Sequence, residues 1–306
     1  MPSRRQFIQR SATLLAFAST PWWARSAMAL AADPLLQRTI PSSGETLPVI
    51  GLGTSHTFDV RIDDAVLAPL EELLRTFVNG GAKLIDTSPS YGAAEQVIGA
   101  LLQRTSTQDK AFLASKISAT GRDSGLAQFN LSLQALQTER IDLMQVQNLR
   151  DARTQLALLR DLRAQGKVHY IGVTHYQESA HDDLLDVLAR EKVDFVQINY
   201  SVAERNAEKR LLPYCADHGI AVVINRPFQG GQLLRPVKDK PLPDWAMEID
   251  ASSWAQLLLK FILAEPAVTA VIPRGSTPRH MADNLKAGHG RLPDAALRAK
   301  IVQAFS

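Results

Sequence analysis

Apolar residues along this chain fall into two alternating kinds of segment. The first kind is short, continuous and often β-branched: Val49 to Gly53, Lys83 to Asp86, Ala111 to Lys116, Ile141 to Gln147, Tyr170 to Thr174, Phe195 to Tyr200, Ala221 to Asn225 and Ala270 to Ile272. Such runs read as strands covered on both faces. Between them, apolar residues return at helical spacing in Asp63 to Asn79, Ala94 to Arg104, Leu126 to Thr138, Ala152 to Gln165, Ser179 to Glu191, Ala207 to His218 and Ser253 to Leu263. These are amphipathic helices, and glycine supplies the stop at Asn79-Gly80, Gln165-Gly166 and His218-Gly219. Thr277-Pro278 opens an eighth helix, with a hydroxyl for the cap and proline in the first turn. Strand-then-helix units repeated without a break in composition predict a closed (β/α)₈ TIM barrel rather than an open sheet. Ahead of the barrel, Gln37 to Ile40 and Thr46 to Val49 flank a turn at Ser42-Ser43-Gly44 and read as a β-hairpin. Pro293 to Phe305 reads as an extra C-terminal helix, so residues 33–306 form a single domain.

Composition supports a large core: 45% of residues are hydrophobic and 21% charged, as in an ordinary globular protein. The N-terminus stands apart. Ser3-Arg4-Arg5-Gln6-Phe7-Ile8-Gln9 precedes a mildly apolar run from Ala12 to Ala18, and small-residue cleavage options follow at Ala27-Met-Ala29 and Ala29-Leu-Ala31. Residues 1–32 thus resemble a twin-arginine (Tat) signal peptide, which implies recognition by the Tat export machinery, folded export and a periplasmic destination. The apolar run falls well short of the roughly 20 residues that span a bilayer, so no stable membrane insertion is expected. The segment also carries Arg4, Arg5, Arg10 and Arg25 and no acid, which turns the net charge of +3 for the whole chain into −1 for the remainder. No charge argument for nucleic-acid binding is left. Cys215 is the one cysteine, which excludes an intrachain disulfide and reads as a core thiol.

Chemistry concentrates where strands end. Lys83-Leu-Ile-Asp-Thr-Ser-Pro-Ser-Tyr-Gly-Ala-Ala-Glu95 puts the Asp86 carboxylate and the Tyr91 phenol at the end of the second strand. A phenol, with an ordinary pKa of about 10, becomes a useful acid only when something lowers that value. An ammonium held by a buried carboxylate does so, and Lys116 at the end of the third strand is the candidate. Gln147, Thr174 with His175, and Gln197 with Asn199 end the fourth, fifth and sixth strands. The longest connection, Arg226 to Ala251, follows the seventh strand and reads either as a wall of the site or as a tolerated insertion. His56 on the loop after the first strand reads as pocket-lining or solvated, while the other histidines lack the spacing of a metal site.

Taken together, Gly51-Leu-Gly-Thr54, Asp86 through Glu95, Ala114-Ser-Lys116, Ile141-Asp-Leu-Met144, Gly166 through Val173, Gln197-Ile-Asn-Tyr200 and Val271-Ile-Pro273 through Asp283-Asn284 resemble an aldo-keto reductase, over residues 36 to 287. The resemblance implies an NAD(P)H-dependent enzyme that transfers hydride to a small-molecule carbonyl, with Tyr91 giving the proton, Lys116 lowering its pKa and Asp86 holding Lys116. It implies nicotinamide carboxamide contacts at Thr174, His175 and Gln197. Pyrophosphate contact falls to Arg226, phosphate contact to Arg274, Ser276 and Thr277, and the adenosine region to His280, Asp283 and Asn284. NADP is the expected cofactor, with NAD possible because His280 stands where many relatives carry arginine. Two positions depart from the pattern. Gln147 stands where the family usually has a catalytic histidine, and an amide donates a hydrogen bond without carrying charge. Asn225 stands where an aromatic usually stacks on the nicotinamide. A slow reductase is therefore expected, and the alternative is a dinucleotide-binding or redox-sensing protein with vestigial chemistry.

Overall fold

The alternating segments close into a ring of parallel strands with helices outside it; the computed structural model describes residues 34–305. The expected signal over residues 1–32 lies outside the described residues. Strands β1 (Gln37–Thr39) and β2 (Thr46–Pro48) pair antiparallel as the hairpin. Then come β3 (Leu52–Gly53), α1 (Asp64–Asn79), β4 (Leu84–Asp86), α2 (Ala94–Thr105), β5 (Phe112–Ile117), α3 (Arg122–Leu136), β6 (Ile141–Gln147) and α4 (Ala152–Ala164). The alternation continues through β7 (Val168–Thr174), α5 (His181–Arg190), β8 (Phe195–Asn199), α6 (Leu211–Asp217), β9 (Ala221–Asn225), α7 (Trp254–Leu263), β10 (Val268–Val271), α8 (Pro278–Lys286) and α9 (Ala295–Ala304). Strands β3 to β10 pair in sequence order, and parallel bridges from Ile50 to Val271 and from Gly53 to Arg274 join the first to the last. Among the described residues no helix is long and apolar enough to cross a membrane.

Helix boundaries follow local chemistry. Asp63, Ser253, Thr277 and Asp294 cap α1, α7, α8 and α9 with side-chain oxygens. Helix α6 starts at Leu211 rather than Ala207, because Pro213 has no N–H to return to the preceding turn. Helix α3 starts earlier than its apolar period, at Arg122, since its first turn is polar and exposed. The left-handed stop after α1 is Gly81 (φ +82°); Gly80 keeps a negative φ of −76°.

Period-two alternation separates the inside of the ring from the strand–helix layer. Leu84, Ala114, Leu143, Tyr170, Phe195, Ala221, Val223 and Ala270 form one buried cluster with Ile40 and Leu47 of the hairpin. Tyr170 packs edge-on to Phe195 at 5.4 Å and donates its hydroxyl proton to Ser43 Oγ at 2.7 Å, so the hairpin stoppers the N-terminal end of the barrel. Two residues further along the same inward rows, the apolar side chains give way to Asp86, Lys116, Gln145 and Gln197. The core therefore ends in a polar layer at the C-terminal rim.

The long connection after β9 is built in, not loose. It forms 3-10 turns at Gln229–Gly231, Arg235–Val237 and Asp244–Ile249, and buries Phe228, Leu233, Val237, Ala246 and Ile249. Its far end is pinned where Asp250 accepts from Arg291 Nη2 (2.9 Å), Nε (3.1 Å) and backbone N–H (3.0 Å). Those side-chain and backbone bonds hold the Asp250 carboxyl down to about 2, from the ordinary 3.8. A depressed carboxyl stabilises fully above its unfolded value, and that contribution is lost as pH falls through the folded one. Acidification of wild type toward about 2 is expected to change Trp245 and Trp254 fluorescence, and Asp250→Asn is expected to show the same change at neutral pH. A variant with the wild-type emission and acid transition would remove Asp250 from the anchor.

Candidate active site

Tyr91 reaches the rim on a tight turn: its N–H donates to Ser88 O (3.0 Å) and its carbonyl accepts from Ala94 N (3.2 Å). The turn needs glycine at 92, where φ is +61° and an added Cβ would stand 2.1 Å from Asp59 Oδ1. Asp59 then accepts from Ala93 N at 2.9 Å and ties the turn to the loop after β3. At the end of the same motif, the buried Glu95 accepts from Ser115 Oγ (2.5 Å) and Ser132 Oγ (3.1 Å), bracketing α2 against β5 and α3. Burial raises the Glu95 carboxyl above its usual range.

Lys116 is 1% exposed and Asp86 2% exposed, so their contact is a buried ion pair, Nζ to Oδ2 at 2.7 Å. A second bond runs from Nζ to Thr87 O at 2.8 Å, and the ammonium lies 5.1 Å from the centre of the Tyr91 ring. Burial alone pushes the lysine down; the Asp86 carboxylate and the Tyr91 phenol outweigh it, and the ammonium stands above its usual pKa. The other oxygen of Asp86 is also occupied. Oδ1 accepts from Gln197 Nε2 at 2.7 Å and Gln145 Nε2 at 3.3 Å.

Gln147 faces the tyrosine loop. Its carbonyl accepts from Ser88 Oγ (2.9 Å) and Ser90 Oγ (3.2 Å), and its amide donates to Ser90 Oγ at 3.0 Å. One amide N–H of that side chain remains for a ligand. Gln197 has its amide committed to Asp86 and its carbonyl to Thr174 Oγ1 (3.2 Å) and Asn225 Nδ2 (3.4 Å). One N–H of Gln197 is thereby spent on the Asp86 carboxylate, and its nitrogen also lies 3.4 Å from Gln145 Oε1.

Of these groups Asp86, Tyr91, Lys116, Gln147, Thr174, Gln197 and Asn225 stand in the wall of one cavity of about 540 Å³ at the C-terminal rim. It brings together the residues singled out at the strand ends and cofactor positions except His175, Thr277 and Asn199, whose Oδ1 lies 3.1 Å from His181 Nε2. His175 lies parallel to Tyr176 and accepts the Gln177 N–H on Nδ1 at 3.2 Å, and burial lowers its pKa. Thr277 is spent on capping α8, accepting from His280 N at 3.1 Å. His56 (φ +66°) and Tyr176 also line the cavity, and Arg226 (φ +50°) places its guanidinium 5.7 Å from the Tyr176 ring.

The donor set suits a dinucleotide. Arg226 and Arg274 are exposed on the cavity wall, and among the described residues neither has a carboxylate partner. In the first turn of α8 Pro278 has no N–H and His280 N is spent on Thr277 Oγ1, which leaves the Arg279 N–H at the helix start for a phosphate. Ser276 Oγ and His280 Nδ1 are 2.7 Å apart beside it, while Asp283 is held by Ser253 Oγ (2.6 Å) and Gln256 Nε2 (2.7 Å). No group of His, Cys, Asp and Glu among the described residues could hold a metal ion.

Sequence reasoning passed over Gln145, Ser88 and Ser90. The spacing held a signal for the first: in a strand, Gln145 and Gln147 share a face, which makes Gln145 inward if Gln147 is. The serines lie in a loop, where no periodicity assigns direction.

A parallel barrel with this Asp, Tyr and Lys set at its C-terminal rim, in one cavity wall with Arg226 and Arg274, is an oxidoreductase of the nicotinamide-dependent kind. The model of the Aldo/keto reductase family matches residues 49–300, and the chain belongs to that family. It is 28% identical over 257 residues to methylglyoxal reductase YeaE of Escherichia coli, covering 81% of this chain and 88% of that one. An NADH-specific methylglyoxal reductase of the same organism is 26% identical over 193 residues, 54% of this chain and 58% of its own. A solved aldo-keto reductase of Klebsiella pneumoniae in complex with NADPH superposes with a TM-score of 0.75 at 24% identity, over 89% of this chain and 95% of that one.

Proposed function

We propose that this protein reduces an aldehyde or ketone with NADPH, Tyr91 supplying the proton. The observation that carries this reading is the buried Lys116, fixed by Asp86 at 2.7 Å and set against the Tyr91 ring in a cavity wall. The bound cofactor supplies the hydride that goes to the carbonyl carbon. Tyr91 gives its hydroxyl proton to the carbonyl oxygen, which forms the alcohol, and the Lys116 ammonium stabilises the phenolate left behind. The remaining N–H of Gln147 points a neutral dipole at the developing oxyanion. Arg226, Arg274 and the start of α8 bind the phosphates, and Asn284 and His280 border the adenosine end.

A panel of carbonyls including methylglyoxal, with stopped-flow measurement of NADPH and NADH oxidation, tests the reading. Oxidation by any member supports it, and tight NADPH binding with no oxidation by any of them overturns it in favour of a dinucleotide-binding or sensing role. That second reading draws on Gln147, whose carbonyl is tied to two serines and whose side chain carries no charge. Gln147→His is expected to raise kcat by about 10²-fold, the size of one well-placed oxyanion donor. No gain with any reducible carbonyl would mean that position 147 does not limit turnover.

Residues 1–32 fit export of the folded, cofactor-loaded protein to the periplasm. Replacing Arg4 and Arg5 by lysine is expected to retain the precursor in the cytoplasm; unchanged periplasmic recovery would dismiss the Tat route.

A further inference from the structure

The layer beneath the Asp86–Lys116 pair contains two glutamines, of which Gln145 has no part in the proposed chemistry. Gln145 is fully buried, on β6, and Gln197 is 2% exposed, on β8. Both aim their amide nitrogens at one atom, Asp86 Oδ1, at 3.3 and 2.7 Å, and Gln197 Nε2 also approaches Gln145 Oε1 at 3.4 Å. Gln197 lines the cavity, whereas Gln145 does not. An amide buried in an apolar barrel costs free energy unless its polar atoms are used. Here they complete the coordination of a carboxylate whose other oxygen holds Lys116.

We propose that Gln145 is a positioning residue that acts through Asp86: with Gln197 it forms an amide clamp on Oδ1, which leaves Oδ2 directed at Lys116. The inference rests on the reductase reading for its consequence, and on geometry for its existence. The physical effect is on charge as well as direction. Hydrogen bonds to Oδ1 disperse the carboxylate charge, so the Lys116 ammonium is less fully cancelled and keeps more of its pull on the Tyr91 phenolate. Without the clamp, Asp86 cancels Lys116 more completely, the phenolate loses support and the phenol becomes a weaker acid. Glutamine suits the task because a cationic donor would compete with Lys116 and a carboxylate would repel Asp86.

Other charged groups do not take this role. Glu95 lies behind β5 on its two serines, Asp59 holds the Ala93 N–H, and His56, Arg226 and Arg274 stand in the cavity wall. None of them is bonded to Asp86 Oδ1, whose donors are the two amides.

Gln145→Met keeps the length of the side chain and removes the donor. The Tyr91 titration, read as the ultraviolet tyrosinate difference against Tyr91→Phe in each background, is expected to move up by about one pH unit, tenfold in the ionisation equilibrium. The basic limb of the kcat profile for reduction should move up with it. At neutral pH kcat should fall about tenfold, the lower range for one hydrogen bond to a charged group, while the Kd for NADPH stays within about twofold, since Gln145 is off the cavity. In the Asp86→Asn background the same substitution should change nothing further, because the residue it works through is gone.

A folded Gln145→Met protein whose tyrosinate titration is unmoved or lowered overturns the proposal. So does an effect that persists undiminished in Asp86→Asn, or a loss of NADPH affinity that parallels the loss of kcat. If the methionine variant does not fold, Gln145→Leu in the same measurements decides. The titration needs no turnover, so absence of carbonyl reduction by wild type would overturn the reductase reading alone and leave the clamp to be judged by the tyrosinate shift.

Discussion

Tyr91→Phe is expected to lower kcat for carbonyl reduction by about 10²- to 10⁴-fold, the usual range for removing a positioned acid. The substitution deletes one oxygen from a half-buried ring at the cavity wall and leaves the turn that presents it intact, since that turn is made by backbone bonds, Gly92 and Asp59. The loss should therefore fall on kcat, with the Kd for NADPH within about twofold of wild type. If Tyr91→Phe retained wild-type turnover, the proton would come from elsewhere, and the placing of Lys116 beside this ring would be structural.

Lys116→Met is expected to have the larger effect on stability. Removing one member of a buried pair leaves an uncompensated charge, at about 3–5 kcal/mol. Asp86 would keep its two amide donors but lose the ammonium at 2.7 Å, and at 2% exposure water reaches it little. Denaturant unfolding of the variant should show that loss, and Asp86→Asn combined with Lys116→Met should recover much of it, because the orphaned carboxylate is then gone. Activity should not return in the double variant, since the cation that supports the phenolate is absent. A single variant as stable as wild type would mean that Asp86 takes up a proton at little cost.

The two losses divide the site along its construction. Tyr91 stands on a loop and can be changed without disturbing the strands, whereas Asp86 and Lys116 continue the inward rows of β4 and β5 and are part of the barrel's packing.

Much of this was legible in the order of residues. Asp86, Lys116, Gln147, Thr174 and Asn225 each end a short apolar run, Gln197 lies within the sixth, and in a parallel barrel the strand ends share one rim. Strand Ile141–Gln147 coincides with its apolar run, which Arg140 and Asn148 bound with polar side chains, and Ala221–Asn225 ends with its run where Arg226 follows. Helix α6 escaped the periodicity because Pro213 restricts the backbone without altering the apolar spacing. His175 illustrates the limit at the site: its neighbour Thr174 lines the cavity, but successive side chains at a strand end diverge, and His175 turns along Tyr176.

By itself, then, the sequence determined the alternation of strands and helices, hence the barrel, and the residue types at its C-terminal rim, because periodicity and strand ends are local properties. The tertiary structure alone decided which of those groups are partners. That Gln145 and Gln197, 52 positions apart, meet on one oxygen of Asp86, and that Gln147 spends its carbonyl on Ser88 and Ser90, depends on the register of strands brought together by ring closure. Hydrogen bonds act over about 3 Å, a distance on which spacing along the chain has no purchase.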